Sequence, residues 1–451
     1  MSSAIKATSP IIQKIGSPME TIATTGAEDC PFEPSLWDDF FVTYAPSISQ
    51  RSEKWMRERA AHLKKEVRHM FDAHNGLSVT NALILVDVLE RLGIDNHFKE
   101  EICAVLCRVH SDEQEFDNSK ELHIVALRFR LLRQHGFFVS TDVFNKFKDG
   151  TGNFSTGLTG DPRGLLSLYN GAHMAVPGED VLDDAITFTR SHLKAMKGNL
   201  GYPIAGQVAR ALDIALPRYM PQLETIHYII EYEQEDVHNA TILELARLDY
   251  NLRRSAHLKE LRTFCSWWKD IYEDVKLPYS RDRSVEMYFW AFGAFQREHN
   301  SRARILYSKM TAFISLMDDT YDAHATFEEC EFFNEAIQRW DESAASILPE
   351  YLRVFYIKIL STFKEFENIL DPSEKYRVGY VQTAFKLLSK YYLEEAKWCN
   401  EKYIPSFKDQ IEVSSMSSSI PVLALAALMA AGDEATNEAV EWASGIPDAV
   451  H

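Results

Sequence analysis

The spacing of apolar residues constrains this chain most. Past residue 50 it follows the 3.6-residue period of a helix and almost nowhere the two-residue alternation of a strand. Leu85, Leu89 and Leu92 form one stripe, closed by Gly93 as a C-terminal cap. Leu127, Leu131 and Gly136 repeat the arrangement, and Leu245, Leu248 and Leu252 open another long helix. No alternating run flanked by a hairpin turn signal is present. The breaks carry Pro or Gly, at 150–164, 217–221, Pro278, Pro349 and Pro372. The expectation is an all-α fold without an internal repeat.

With 451 residues, 46% of them hydrophobic, the chain exceeds one ordinary domain and can build two cores. Its formal charge of -18 argues against nucleic acid or an anionic membrane as a partner. A local cluster of arginines and metal ions can still hold an anionic substrate. The six cysteines (Cys30, Cys103, Cys107, Cys265, Cys330, Cys399) form no CxxC pair, which suits free thiols in a reducing compartment. The longest apolar run, 420–431, is interrupted by Pro421 and too short to span a bilayer, so no membrane span is expected. Residues 1–30 are Ser/Thr-rich and contain no arginine. They read as a disordered leader on a cytoplasmic protein, with a plastid location less favoured.

The chemistry begins at Asp318-Asp319-Thr320-Tyr321-Asp322. Upstream, Leu306, Met310, Phe313 and Met317 make an apolar stripe, and the neighbouring row runs Ile314, Asp318, Asp322. Two carboxylates at i and i+4 therefore continue an inward-facing row where the apolar residues stop. Asp319 is rotated about 100° away and is the weaker candidate. Adjacent carboxylates repel and call for a cation, and hard oxygen ligands at this spacing suit Mg²⁺ bridged to a phosphate. The same residues also read as a solvated acidic helix end.

Arg281-Asp282-Arg283 follows Pro278 and opens a helix running through Val285, Met287, Tyr288, Phe289 and Trp290. Two guanidiniums at a helix start make an anion site. The alternative is a surface loop in which Asp282 or Ser284 caps the helix.

The pairing RDR with DDTYD resembles the plant class I terpene synthases. So do Phe32-Glu33-Pro34-Ser35-Leu36-Trp37, Arg91-Leu92-Gly93-Ile94-Asp95, Leu348-Pro349-Glu350-Tyr351 and Glu395-Ala396-Lys397-Trp398. The resemblance runs from about residue 31 to the end of the chain. It implies an N-terminal α-barrel at 31–237 and a C-terminal class I helical bundle, incomplete, at 238–451. It implies that Asp318 and Asp322 bind Mg²⁺, or Mn²⁺, and with it the substrate diphosphate. Arg281 and Arg283 would escort the departing diphosphate, with Arg281 also binding substrate. Trp290 would line the cavity and stabilise the cation, with plain core packing as the alternative, and the break at Ser417-Ser418-Ser419-Ile420-Pro421 resembles a kinked helix whose carbonyls face the cation.

Within the family, residues 21–36 lack the arginine-rich word of the monoterpene branch, which favours a sesquiterpene synthase acting on farnesyl diphosphate as a monomer. Asp180, Asp183 and Asp184 do not make a class II DxDD motif. Asp433, Asn437 and Glu441 have the spacing of the family's second metal motif, but their surroundings match a segment upstream of it. They are read as a solvated face. His451 falls about three helical turns short of the expected second motif. The chain as given is accordingly expected to have little or no activity. A chain-elongating prenyl synthase and a catalytically dead helical protein are the competing readings.

Overall fold

A computed structural model describes residues 32–44, 52–73, 78–111 and 119–447. The expected leader at 1–30 lies outside the described residues. Those residues contain helices and no strand, with a single isolated bridge between Lys148 and Phe154. The chain forms two compact units, one of residues 45–259 and one of residues 260–451 together with the segment 32–44. The division falls inside one long helix, whereas the sequence division at 237/238 lies just ahead of it.

The unit of residues 45–259 contains α1 (Glu53–Ala73), α2 (Val79–Arg91), α3 (Lys99–Ser111), α4 (Leu122–Gln134), α5 (Pro162–Ala172), α6 (Asp180–Met196), α7 (Ile204–Asp213), α8 (Pro221–Tyr232) and the first part of α9 (Ala240–Val275). Polar residues set the boundaries. Ser78 caps α2 by accepting from the Asn81 N–H, and Asp161 caps α5 through the Gly164 N–H, ahead of Pro162 in the first turn. Gly93 and Gly136 end their stripes with φ of 67° and 81°, the left-handed conformation a glycine cap supplies. The expected apolar rows face inward: Leu89, Leu92, Leu127, Leu131, Leu245, Leu248 and Leu252 are all buried.

The other unit contains the rest of α9, then α10 (Ser284–Ala294), α11 (Ser301–Asp319), α12 (Phe327–Arg339), α13 (Glu350–Ile369), α14 (Tyr376–Glu401), α15 (Phe407–Ser417), α16 (Ile420–Ala430) and α17 (Asn437–Ser444). Helix α11 packs against α10 and α16, while α14 packs against α12 and α16. Leu306, Met310, Phe313 and Met317 are at most 1% exposed, so the apolar stripe of α11 is core throughout. A capping box between Thr326 and Glu329 starts α12 immediately after the acidic motif.

The sequence reading that no segment is long enough to cross a membrane needs one correction. Taken together, α15 and α16 make Phe407–Ala430 a 24-residue stretch of sufficient length and apolarity, although the helix is interrupted at Ser418–Ser419. Half of its most apolar window is buried within the protein, and Val422, Leu425, Ala426 and Met429 are core residues. Ser419, at the break, has φ of 66°.

Candidate functional site

The site grows from the end of α11. The helix stops at Asp319, and Thr320–His324 form a π-helical turn in place of the continuous α-helix the row of carboxylates predicts. The Ala325 N–H reaches back to the Thr320 carbonyl, and the Thr320 hydroxyl donates to the Leu316 carbonyl at 2.7 Å. Such widened turns arise where side chains must be re-aimed. Tyr321 points inward and meets the Ser389 hydroxyl at 2.9 Å, while Asp322 faces solvent. Below, Tyr279 bonds the Thr320 hydroxyl at 3.0 Å and stacks on His324 with centroids 4.0 Å apart. These contacts anchor the motif from its apolar side.

The three aspartates have different environments. The Asp318 side chain is about one-third exposed and pairs with Arg281 Nη2 at 2.5 Å. Asp319 is buried: its Oδ2 accepts the Arg281 backbone N–H at 2.7 Å, and its Oδ1 lies 2.7 Å from Arg281 Nη2. Asp322 forms no salt bridge among the described residues; desolvation and then the neighbouring Asp318 charge push its carboxyl up to about 6, against the Arg281 charge. A carboxyl raised by a neighbouring carboxylate in this way is what a cation relieves.

Arg281 and Arg283 diverge. The Arg281 guanidinium lies across the Phe32 ring at 4.9 Å and grips the acidic motif. Arg283 donates to the Asp282 and Glu33 carbonyls, at 3.2 and 3.0 Å. Asp282 does not cap α10 but accepts from the Trp268 indole N–H at 2.7 Å. Trp290 lies on α10 with 55% of its surface exposed. Asp433, Asn437 and Glu441 are all exposed, and α17 starts only at Asn437 behind its Thr436 cap, so the three do not share one helix row.

Two residues on α14 join the site that sequence reasoning did not single out as functional. Burial pushes the Glu395 carboxyl up; the Asp322 and Asp318 charges add to this, against the hydrogen bond from Ser417 at 2.8 Å. Burial also raises the Tyr392 phenol, with the Asp318 charge next, and Tyr392 meets the Ser419 hydroxyl at 2.9 Å. Phe385, Leu388, Ser389 and Tyr392 make a buried stripe of which Glu395 is the next step, so the pattern that marks Asp318 was present here as well.

Among the described residues, no group of three His, Cys, Asp or Glu forms a ready-made metal cage. A hard cation that keeps waters and phosphate oxygens needs only one or two carboxylates, and the Asp318–Asp322 pair meets that requirement.

Comparison with known proteins identifies the family. The family model "Terpene synthase family, metal binding domain" matches residues 269–451, and "Terpene synthase, N-terminal domain" matches residues 36–212. Eudesmanediol synthase of Zea mays is 55% identical over 425 residues, covering 94% of this chain and 76% of its own. Tau-cadinol synthase of Zea mays is 47% identical, covering 95% of this chain and 79% of its own. Isoprene synthase from grey poplar, solved in complex with three Mg²⁺ ions and dimethylallyl-S-thiolodiphosphate, superposes with a TM-score of 0.82 at 35% identity, covering 88% of this chain and 76% of its own. Limonene synthase with 2-fluorolinalyl diphosphate gives 0.84 at 29% identity, covering 93% of this chain and 78% of its own. A helical core that ends in a run of carboxylates, two of them held by Arg281, is thus found in a chain that belongs to the terpene synthase family.

Proposed function

We propose that this chain is a sesquiterpene synthase that takes farnesyl diphosphate with Mg²⁺, or Mn²⁺, and cleaves its allylic C–O bond. The observation that carries the reading is the Asp318–Asp322 pair at the end of the buried α11 stripe, with Arg281 held against Asp318 and Asp319. The similarity to eudesmanediol and tau-cadinol synthases favours the C15 substrate.

Asp318 and Asp322 would hold the metal, which supplies positive charge against the diphosphate oxygens as the C–O bond breaks. Arg281 already spans the motif, so exchanging the Asp318 carboxylate for a phosphate oxygen requires only a side-chain movement. Arg283, two residues on, adds a second guanidinium for the departing anion. The electron pair of the C–O bond leaves with the diphosphate, and an allylic cation remains. Trp290 lies about two helical turns along α10 from Arg283 and on the same side, where its ring can face that cation. The Ser417–Pro421 break is held by Tyr392 and Glu395, and its backbone carbonyls would face the same cation. Loss of a proton or capture of water ends the reaction. Every named residue belongs to one chain, so a monomer suffices.

Calorimetric titration with farnesyl thiolodiphosphate, which resists ionisation, tests the reading apart from turnover. Binding should require Mg²⁺, exceed that of the geranyl analogue, and be lost in Asp318→Asn. Mg²⁺-independent binding, or full binding by Asp318→Asn, would overturn it. Incubation with farnesyl diphosphate and analysis of volatiles then reports on chemistry.

A further inference from the structure

The unit of residues 45–259 encloses a cavity of about 900 Å³ that shares no residue with the carboxylate site. Its size falls in the range of sites that hold drug-sized ligands. Four arginines line it, and three are neutralised by carboxylates of the same unit. Arg91 pairs with Glu224 at 2.7 Å, Arg210 with Glu231 at 2.5 Å, and Arg130 with Asp87. The fourth, Arg163, exposed in the first turn of α5, forms no salt bridge among the described residues, although its charge acts on Glu235, which also lines the cavity.

His123, also in the wall, engages the Ser167 hydroxyl through Nδ1 at 2.7 Å. Its Nε2 is buried and has no hydrogen-bond partner among the described residues. Burial, with the Arg163 charge next, pushes the imidazole down to about 4, so the ring is neutral. In the tautomer in which Ser167 donates to Nδ1, Nε2 carries the proton and is a donor. Leaving that N–H unmet costs its desolvation. A water could meet it, whereas an acid head group would meet it and the Arg163 guanidinium together. Apolar side chains of Leu85, Leu127 and Leu166 form the adjacent wall.

We propose that this cavity is a second, non-catalytic binding site for an amphipathic acid: a hydrocarbon body against the leucines and one carboxylate or phosphate group received by Arg163 and the His123 Nε2–H. The paired arginines set the cavity's polar rim and are not free to take the head group. A fatty acid and a prenyl monophosphate share this chemistry.

The test is calorimetric titration of the full chain with dodecanoate, with farnesyl monophosphate and with farnesol, in EDTA so that no metal-dependent site contributes. Saturable binding of either acid is expected, and which acid binds identifies the source. Farnesol should bind at least about tenfold more weakly, since the head group carries a charge-assisted contact. Arg163→Gln, at an exposed position that the fold tolerates, should weaken the acid by a similar factor. His123→Gln, which keeps a donor, should weaken it less than His123→Phe. The proposal is overturned if neither acid saturates, if farnesol binds as well as the acids, or if Arg163→Gln binds undiminished.

Discussion

Asp319 holds Arg281 at two points, accepting its backbone N–H at 2.7 Å and lying 2.7 Å from its guanidinium. The middle aspartate of the motif thus faces the loop before α10, while Asp318 and Asp322 face the opening. The division of labour has a geometric origin: successive helical residues are rotated by about 100°, so although both Asp318 and Asp319 reach the Arg281 guanidinium, only Asp319 also takes its backbone N–H.

Asp319→Ala should therefore loosen the loop before α10 without removing either proposed metal ligand. The Arg281 N–H loses its acceptor, and a loss of about 1–3 kcal/mol in unfolding free energy is expected. Urea titration measures it. Amide hydrogen exchange at Arg281 should accelerate in the same variant; unchanged exchange would exclude the latch.

Metal affinity should depend on pH through Asp322. Its carboxyl is pushed up to about 6, so below that pH a proton occupies the group that would bind the cation. Metal binding and protonation compete, so affinity should rise with pH through this range and level off above about 7. For one competing proton, the change from pH 5 to pH 7 is about tenfold. Mn²⁺ titration followed by electron paramagnetic resonance reports it, and a flat profile would remove Asp322 from the site.

Arg304 and Glu260 form a buried bidentate pair, Nε to Oε2 at 2.7 Å and Nη2 to Oε1 at 2.8 Å. Arg304 is fully buried and also donates to the Phe295 and Arg297 carbonyls, at 2.7 and 2.6 Å. It ties the segment between α10 and α11 to α9. Arg304→Ala leaves the Glu260 charge buried without this partner and should cost about 3–5 kcal/mol. A double change, Arg304→Met with Glu260→Leu, should recover part of that loss, because the penalty is chiefly that of the orphaned charge. Chemical denaturation of both variants separates the two contributions.

Gly93→Ala tests the cap of α2. A Cβ there would lie 2.6 Å from Thr225 Oγ1 and 3.0 Å from Arg253 Nη2, on a residue with φ of 67°. Strain and crowding act together, and a loss of about 1–3 kcal/mol is expected. The companion Gly136→Ala has open space around it and should show the conformational cost alone. Thermal unfolding of the pair compares the two.

Local and periodic features were legible in the sequence. The helical stripes, the glycine caps after Leu92 and His135, and the proline breaks follow from backbone geometry within a few residues. Asp318 and Asp322 stood out because they extend an apolar row, a property of one helix alone. The tertiary structure decided what depends on partners distant in sequence. It set Asp319 against Arg281, sent Arg283 toward Glu33 instead of the acidic pair, and brought Glu395 and Tyr392 to the site from α14. It also widened the helix at Thr320, because Tyr279, Ser389 and the core must be satisfied together. Periodicity shows which face of a helix is buried; only packing determines what that face meets.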